Sequence, residues 1–376
     1  MRYRRFGKTE LPLSVFSLGT MRSLAAPSAM VAVVEAAIAQ GINHIETARA
    51  YGQSEALLGQ ALAELAPPRQ QLYLTTKLLP TVSGDQLRRQ LDQSLERLGV
   101  DYLDCVALHG LNLAEQWEQA RSPQGSLAAL DQARDEGLVR HIGFSTHGSQ
   151  ALILELINSQ RFAFVNLHYY YFFQRHGPAI ARAAELDLGV FIISPADKGG
   201  QLYAPPAALV ERCAPLSPLA FNYRFLLSDP RITTLSLGAA QPSDLNLACG
   251  IAAQDGPLSA AEQAIAQGLQ AQQQQALGTD LCSQCYQCLP CPEAINIPEI
   301  LRLRNLAVAH DMTEFGQYRY RMFENAGHWF PGRRGDRCTD CGDCLPRCPE
   351  QLDIPKLLRD SHHRLKGNHR RRLWEN

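Results

Sequence analysis

An α/β chain is predicted, a (β/α)8 TIM barrel followed by a small, mainly α-helical domain, and three observations predict it. Eight short apolar runs alternate with helical patterns from the start of the chain to about residue 257. Most of those runs are continuous, as strands buried on both faces of a parallel sheet are. Eight of the eleven cysteines then crowd into two short runs near the C-terminus. A doubly wound open sheet is the competing arrangement. Eight strand–helix repeats in about 250 residues favour closure, and no Gly-x-Gly-x-x-Gly turn is present.

Taken in order, Arg4-Arg5-Phe6-Gly7-Lys8 reads as part of a short N-terminal hairpin. Its twin arginine resembles an export signal, but Thr9-Glu10-Leu11-Pro12-Leu13-Ser14 follows without an apolar stretch or a small-residue cleavage site. Strands are expected at Val15–Thr20, Asn43–Thr47, Leu72–Lys77, Leu103–His109, His141–Ser145, Phe164–His168, Val190–Ser194 and Thr233–Gly238. Leu87, Leu91, Leu95 and Leu98 mark one helical face after a Ser83-x-x-Gln86 capping box. The glutamine-rich stretch from Ser259 to Gly278 also opens on a box, Ser259-x-x-Glu262. With Ile265 and Leu269 four apart, it reads as a helix. The expected organisation is therefore a barrel over 1–257, a helical linker over 258–278 and a cysteine-bearing domain over 279–376. Between the cysteine runs, Pro292 to Arg337 looks helical, with Pro298 placed to begin a helix.

The 376 residues, 45% hydrophobic with a formal net charge of −1, suit one large domain and one small one. No apolar run approaches the ~20 residues that span a bilayer, so no membrane partner is expected. Reduced cysteines without a secretory segment make a cytoplasmic protein the expectation. Charge is uneven, with no Lys or Arg from Ile232 to Leu301 and many arginines after it. The tail from Arg364 to Arg372 reads as a solvated end, or as a dock for an acidic redox partner protein. Nucleic acid is not expected, since no aromatic-rich basic surface accompanies that tail. Cys105, Cys213 and Cys249 stand apart from the runs and read as small core residues.

The cysteine runs carry the sharpest chemistry. One is Cys282-x2-Cys285-x2-Cys288-x2-Cys291-Pro292; the other is Cys338-x2-Cys341-x2-Cys344-x3-Cys348-Pro349. Three thiolates spaced by two residues wrap one cubane, and the cysteine of the Cys-Pro supplies a fourth ligand, often to the second cluster of a pair. Two [4Fe-4S] clusters are expected, in a ferredoxin-like iron–sulfur domain. Zinc is the bland alternative, but it takes cysteines in pairs set further apart. A disulfide framework fits less well, because no secretory segment precedes the runs. The first run has two residues before its Cys-Pro and the second three. The cluster that Cys291 joins is left open.

Active sites of such barrels lie at the C-terminal ends of the strands. There the second strand ends on Glu46 and leads to Tyr51, the third ends on Lys77 and the fourth on His109. The fifth ends on Ser145, the sixth holds Asn166, and the seventh leads to Ser194-Pro195. A lysine closing an apolar strand calls for a carboxylate partner, and Glu46 is one strand away. Four titratable side chains converging on one rim are not explained by packing.

Several stretches together resemble one family. They are Arg5-Phe-Gly-Lys-Thr, Gly41-Ile-Asn-His-Ile-Glu-Thr-Ala, Tyr51-Gly-Gln-Ser-Glu, Leu108-His-Gly, Gly137-Leu-Val-Arg-His-Ile-Gly-Phe-Ser-Thr-His-Gly and the cysteine runs. The chain is similar, over nearly its whole length, to the aldo/keto reductases that carry a C-terminal ferredoxin-type domain. The resemblance implies Tyr51 as general acid, its pKa lowered by Lys77, with Glu46 holding the lysine and His109 orienting the substrate carbonyl. It implies hydride from NADP(H) or NAD(H) across the barrel mouth. Ser145 and Asn166 would grip the nicotinamide carboxamide, and Gly19, Thr20, Ser194, Pro195, Ala196 and Gly238 would line the groove.

Three positions depart from the family pattern. Glu46 stands where aspartate is usual, and Ile193 replaces an aromatic platform. The loop from Gly238 to Asp244 lacks the Lys or Arg that holds the 2′-phosphate of NADP. That leaves NADP held through other groups, NAD in its place, or a decayed cofactor site. The leading expectation is a small-carbonyl oxidoreductase coupled to, or regulated by, two clusters. The alternative is an electron-transfer or redox-sensing iron–sulfur protein on a barrel without turnover.

Overall fold

The protein is described here by a computed structural model covering residues 1–367. The basic stretch from Arg364 to Arg372 therefore lies partly outside the described residues. Among the described residues there are ten strands: β1 (Tyr3–Arg5), β2 (Pro12–Ser14), β3 (Phe16–Gly19), β4 (His44–Glu46), β5 (Tyr73–Leu78), β6 (Leu103–His109), β7 (Val139–Ser145), β8 (Phe164–Leu167), β9 (Gly189–Ile192) and β10 (Thr234–Gly238). β1 and β2 pair antiparallel as a hairpin. The other eight close a parallel TIM barrel in the order β10-β3-β4-β5-β6-β7-β8-β9, with helices between them.

Each expected strand exists, and the differences are at the ends. β3 stops at Gly19 because Thr20 starts a 3-10 turn. β9 stops at Ile192, just before Ser194 takes a left-handed φ of 54° ahead of Pro195, which turns the chain out of the ladder. β7 reaches back to Val139, which pairs with Leu103.

Side chains two apart on a strand share a face, and the inward set builds the barrel interior from bottom to top. Phe6, Leu11 and Leu13 of the hairpin pack with Cys105, Ala107, Phe164 and Phe191. A Cβ at Gly189 would meet the Phe6 ring at 2.3 Å, so glycine is required where the hairpin plugs the start of β9. Higher up, Ser17 Oγ lies 2.7 Å from both His44 Nδ1 and Thr234 Oγ1, and His44 Nε2 lies 2.7 Å from Thr75 Oγ1. The twin arginine of the opening is structural. The Arg4 guanidinium donates to the carbonyls of Leu227, Asp229, Ile232 and Asp255. Cys105 and Cys213 are buried and Cys249 is partly so, without forming disulfides.

By internal packing the chain divides into two compact units, Met1–Gly199 with Leu219–Leu258, and Gly200–Pro218 with the segment from Ser259 onward. The second unit is helical, as expected. Its helix Ala260–Leu277 begins on a complete capping box: Glu262 N–H donates to Ser259 Oγ at 3.3 Å and Ser259 N–H to Glu262 Oε2 at 2.7 Å. At Ser83 only one limb forms, Gln86 N–H to Ser83 Oγ at 3.3 Å. Ile297–His310 starts with Pro298 under an Asn296 cap, and Ile354–Leu365 repeats the device with Pro355 under Asp353. Arg304 ties Asp280 (3.2 Å) to Asp360 (2.7 Å), joining the segment before the first cysteines to the last helix. Among the described residues no helix is long and apolar enough to cross a membrane.

Candidate functional site

Parity on the strands delivers the rim. Glu46, Lys77, His109, Ser145 and Asn166 each stand at or near the C-terminal end of their strand. In the ladder Glu46 faces Gly19 and Thr75, His109 faces Ser145, and Ser145 faces Asn166. Lys77 is fully buried. Its ammonium pairs with Glu46 Oε2, donates to Thr47 O at 3.1 Å and reaches Tyr51 Oη at 3.2 Å. The same ammonium lies 4.8 Å from the Tyr51 ring centre. His109 meets that ring edge-on, with centroids 5.7 Å apart.

The Tyr51 loop is held by the residues that follow it. Thr20 and Thr47 hydroxyls contact Ser54 Oγ at 2.6 and 2.8 Å, and Thr76 donates to Glu55 Oε1 at 2.7 Å. Thr20 is thereby spent on structure, since it is fully buried and also donates to Glu46 O.

Electrostatics give each member a state. Burial raises the Tyr51 pKa above its ordinary value; Lys77 pulls it down, but Glu46 pushes it up. The lowering expected from the sequence is overturned, because burial and Glu46 together outweigh the cation. Burial also works against the Lys77 charge, yet Glu46 and Tyr51 prevail and its pKa is raised. His109 is depressed to about 3 by burial, Lys77 and Lys198, so it is neutral at ordinary pH. The rim thus holds a protonated phenol against a charged lysine.

Two contacts here escaped the sequence reading. Ser236 Oγ donates to Glu46 Oε1 at 2.9 Å, fixing the carboxylate from β10. Ser236 sits two residues before Gly238, so strand parity was the signal that pointed to it. Arg22 is the other: its side chain lies 3.1 Å from where a Cβ on Gly238 would stand, bringing a guanidinium to that end of the barrel.

The residues expected to line a nicotinamide groove divide in two. Asn166 is fully buried, and neither its Oδ1 nor its Nδ2 has a partner. An unsatisfied amide of that kind fits a carboxamide-bearing ligand, which offers one donor and one acceptor. Ser145 Oγ accepts from Gly110 N–H at 3.1 Å. Gly19 has a packing reason of its own, since a Cβ there would meet Ser236 Oγ at 2.7 Å. Pro195 O accepts from Asn222 Nδ2, and the turn through Ala196 is closed by Lys198 N–H donating to Ser194 O at 3.0 Å. In the loop after β10, Asp244 Oδ2 accepts from the backbone N–H of Ala240 (2.8 Å) and Gln241 (3.3 Å). A carboxylate thus occupies the loop's own donors.

In the second unit the eight cysteines line two cavities. One is bordered by Cys282, Cys285, Cys288 and Cys348, the other by Cys291, Cys338, Cys341 and Cys344. Each Cys-Pro cysteine thus crosses to the other run's triplet. The two runs share a backbone: Gln284 and Asp340 have φ of 63° and 56°, and Tyr286 and Gly342 follow at 63° and 82°. These left-handed residues turn the chain around each void. Among the described residues no three His, Cys, Asp or Glu converge to hold a single ion. Zinc needs all its sulfurs about 2.3 Å from one centre, so thiols spread around a cavity suit a cluster instead. Burial pushes Cys288 up to about 12 and Cys344 to about 11, so their thiolates call for bound positive charge.

A barrel rim of this kind, in one chain with cysteine-lined cavities, resembles the build of an aldo/keto reductase with a ferredoxin-type tail. Residues 16–200 match the aldo/keto reductase family and residues 281–352 match a 4Fe-4S dicluster domain. The methylglyoxal reductase DkgB of Salmonella typhi is 35% identical over 136 residues, which cover 36% of this chain and 48% of that protein. The 6-dehydroglucose reductase of Novosphingobium aromaticivorans is 34% identical over 161 residues, covering 38% and 51%. The chain thus spans about half the length of the curated relatives it matches. The aldo-keto reductase AKR11C1 of Bacillus halodurans, in its holo form, superimposes with a TM-score of 0.62 at 20% identity, over 71% of this chain and 96% of that one. That likeness is one of fold.

Proposed function

We propose that the chain reduces small carbonyl compounds at the barrel rim with Tyr51 as proton donor, and that its tail carries two [4Fe-4S] clusters coupled to that chemistry or regulating it. The observation that carries the reading is the Lys77 ammonium held by Glu46 against the Tyr51 phenol. A nicotinamide supplies the hydride when bound, since no side chain can. Tyr51 keeps its proton because its pKa is raised, and gives it to the developing alkoxide. Lys77 then stabilises the phenolate left behind. Neutral His109 donates an N–H to the carbonyl oxygen and orients it. Asn166 and Ser145 hold the carboxamide of the nucleotide. Cys282, Cys285, Cys288 and Cys348 hold one cluster; Cys291, Cys338, Cys341 and Cys344 hold the other.

The nucleotide is NAD(H) in this reading. The Asp244 carboxylate on the loop after β10 would oppose a 2′-phosphate there, and Arg22 beside Gly238 serves the phosphates that both nucleotides share. NADH should bind at least about tenfold more tightly than NADPH, a difference of about 1.4 kcal/mol. Calorimetric titration measures it; tighter NADPH would contradict it.

The same Asp244 favours the second reading, an electron-transfer or redox-sensing protein whose barrel does not turn over. Anaerobic reconstitution with iron and sulfide, followed by NADH and NADPH oxidation assays against aldehydes, separates the two. Steady oxidation supports the reductase. Reversible cluster reduction with no nucleotide oxidation supports the carrier.

A further inference from the structure

The two cysteine runs differ at one matched position whose chemistry the proposed function does not use. Gln284 stands two residues after Cys282, and Asp340 two residues after Cys338. Both take the left-handed backbone, with φ of 63° and 56°, so their side chains leave equivalent points of the two turns. Aspartate suits that conformation through its own short-range hydrogen bonding, whereas glutamine has no such advantage.

What each side chain offers its neighbouring sulfur is different. The Gln284 amide nitrogen lies 2.9 Å from Pro298 O and 3.5 Å from Cys282 Sγ. A carbonyl can only accept, so the amide turns its nitrogen to Pro298, and the second hydrogen of that nitrogen goes to the sulfur. Pro298 is buried in the first turn of the helix Ile297–His310, which anchors the amide. The same helix holds the cysteine's backbone, with Asn305 Nδ2 donating to Cys282 O at 3.0 Å. Gln284 is half-buried, so water competes only in part for its bond to sulfur. In the second run Asp340 Oδ1 lies 3.9 Å from Cys338 Sγ, and a carboxylate has no hydrogen to give a thiolate. It pairs instead with Arg359 at 2.6 Å, and both of those groups are exposed.

Reduction adds negative charge to a cluster and to the sulfurs that hold it. An N–H aimed at a ligand sulfur turns the positive end of a dipole to that charge, so it stabilises the reduced form more than the oxidised one. Charged groups border the cavities as well, Glu350 at one and Arg347 with Glu293 at the other. They are the same in the wild type and in a neutral variant of Gln284, so such a variant reads the hydrogen bond by itself.

We infer that Gln284 raises the reduction potential of the cluster held by Cys282, Cys285, Cys288 and Cys348 through its N–H to the Cys282 sulfur. The inference rests on the two-cluster reading above.

The test is a redox titration of the full-length, anaerobically reconstituted protein, followed by electron paramagnetic resonance, with iron measured on every sample. Gln284→Met keeps the length of the side chain and removes the donor. It should make one cluster at least about threefold harder to reduce at a fixed potential, where a tenfold change corresponds to about 59 mV for a one-electron couple. The cluster that moves should be the one that Cys348→Ser disrupts, and the other should keep its potential. Gln284→Leu should move the same cluster in the same direction, which covers the case in which Gln284→Met loads less iron. A smaller shift in the iron-replete variants, or a shift of the other cluster, would overturn the inference. Loss of the cluster in both variants would overturn it too, by making Gln284 a requirement for assembly. A wild type that holds no iron and shows no resonance after reduction would instead sink the two-cluster reading, and the inference with it.

Discussion

At Tyr51 two opposing effects decide a proton's position. The Lys77 ammonium at 3.2 Å favours the phenolate, while burial and the Glu46 carboxylate favour the neutral phenol and win. The residue thereby keeps its proton, as a neutral phenol, over the whole neutral range, the state a donor needs. Two neighbours are set the opposite way: burial depresses His44 and His109, each to about 3, with Lys77 contributing to both. This has a consequence for stability. Free histidine titrates near about 6.5, so below that pH the unfolded chain binds protons that the folded chain does not. Stability must rise with pH through the window from about 3 to about 6.5 and be fully present above it. Urea unfolding should show a clearly lower midpoint at pH 5 than at pH 7.5. Equal midpoints would mean that these two imidazoles are not held neutral by the fold.

At the scale of strands and turns, alternation along each barrel strand explains what could be read from the sequence. Once a strand is known to end on Glu46, Lys77 or His109, parity sends that side chain inward, and all three are found on one rim. Ser236 obeys the same parity, but a serine in an apolar strand gives no sign of bonding a carboxylate until β10 closes against β3.

The cysteine runs show the same division: their spacing names the candidate ligands, but the crossing of Cys291 and Cys348 depends on how the helices Ile297–His310 and Ile354–Leu365 pack. Cys348→Ser should therefore disrupt the cluster of the first triplet rather than the second. Iron should fall by about half, or one cluster should convert to a three-iron form. Electron paramagnetic resonance compared with Cys344→Ser, which touches the other cavity, reads the assignment. Identical spectra from the two variants would refute the crossing.

At the scale of the molecule, the function we propose joins in one chain chemistries that move electrons in different numbers. A nicotinamide gives a hydride, carrying two electrons, whereas a cluster passes one at a time. Under that proposal two clusters would together hold the electrons of one hydride, which would give the pairing of cavities in the second unit a chemical reason. The organisation we propose keeps the barrel over 1–257, a helical linker over 258–278 and the cluster domain from 279. The segment Gly200–Pro218 packs with the second unit, an excursion that nothing in its composition announced.

The most direct test of this account is pre-steady-state aldehyde reduction by the Tyr51→Phe protein beside the wild type, with iron content measured on both samples. We predict a loss of about 10²- to 10⁴-fold in the rate of reduction, with iron and cluster spectra unchanged. Equal rates in the two proteins would remove Tyr51 as the proton donor and contradict the reading of the barrel rim.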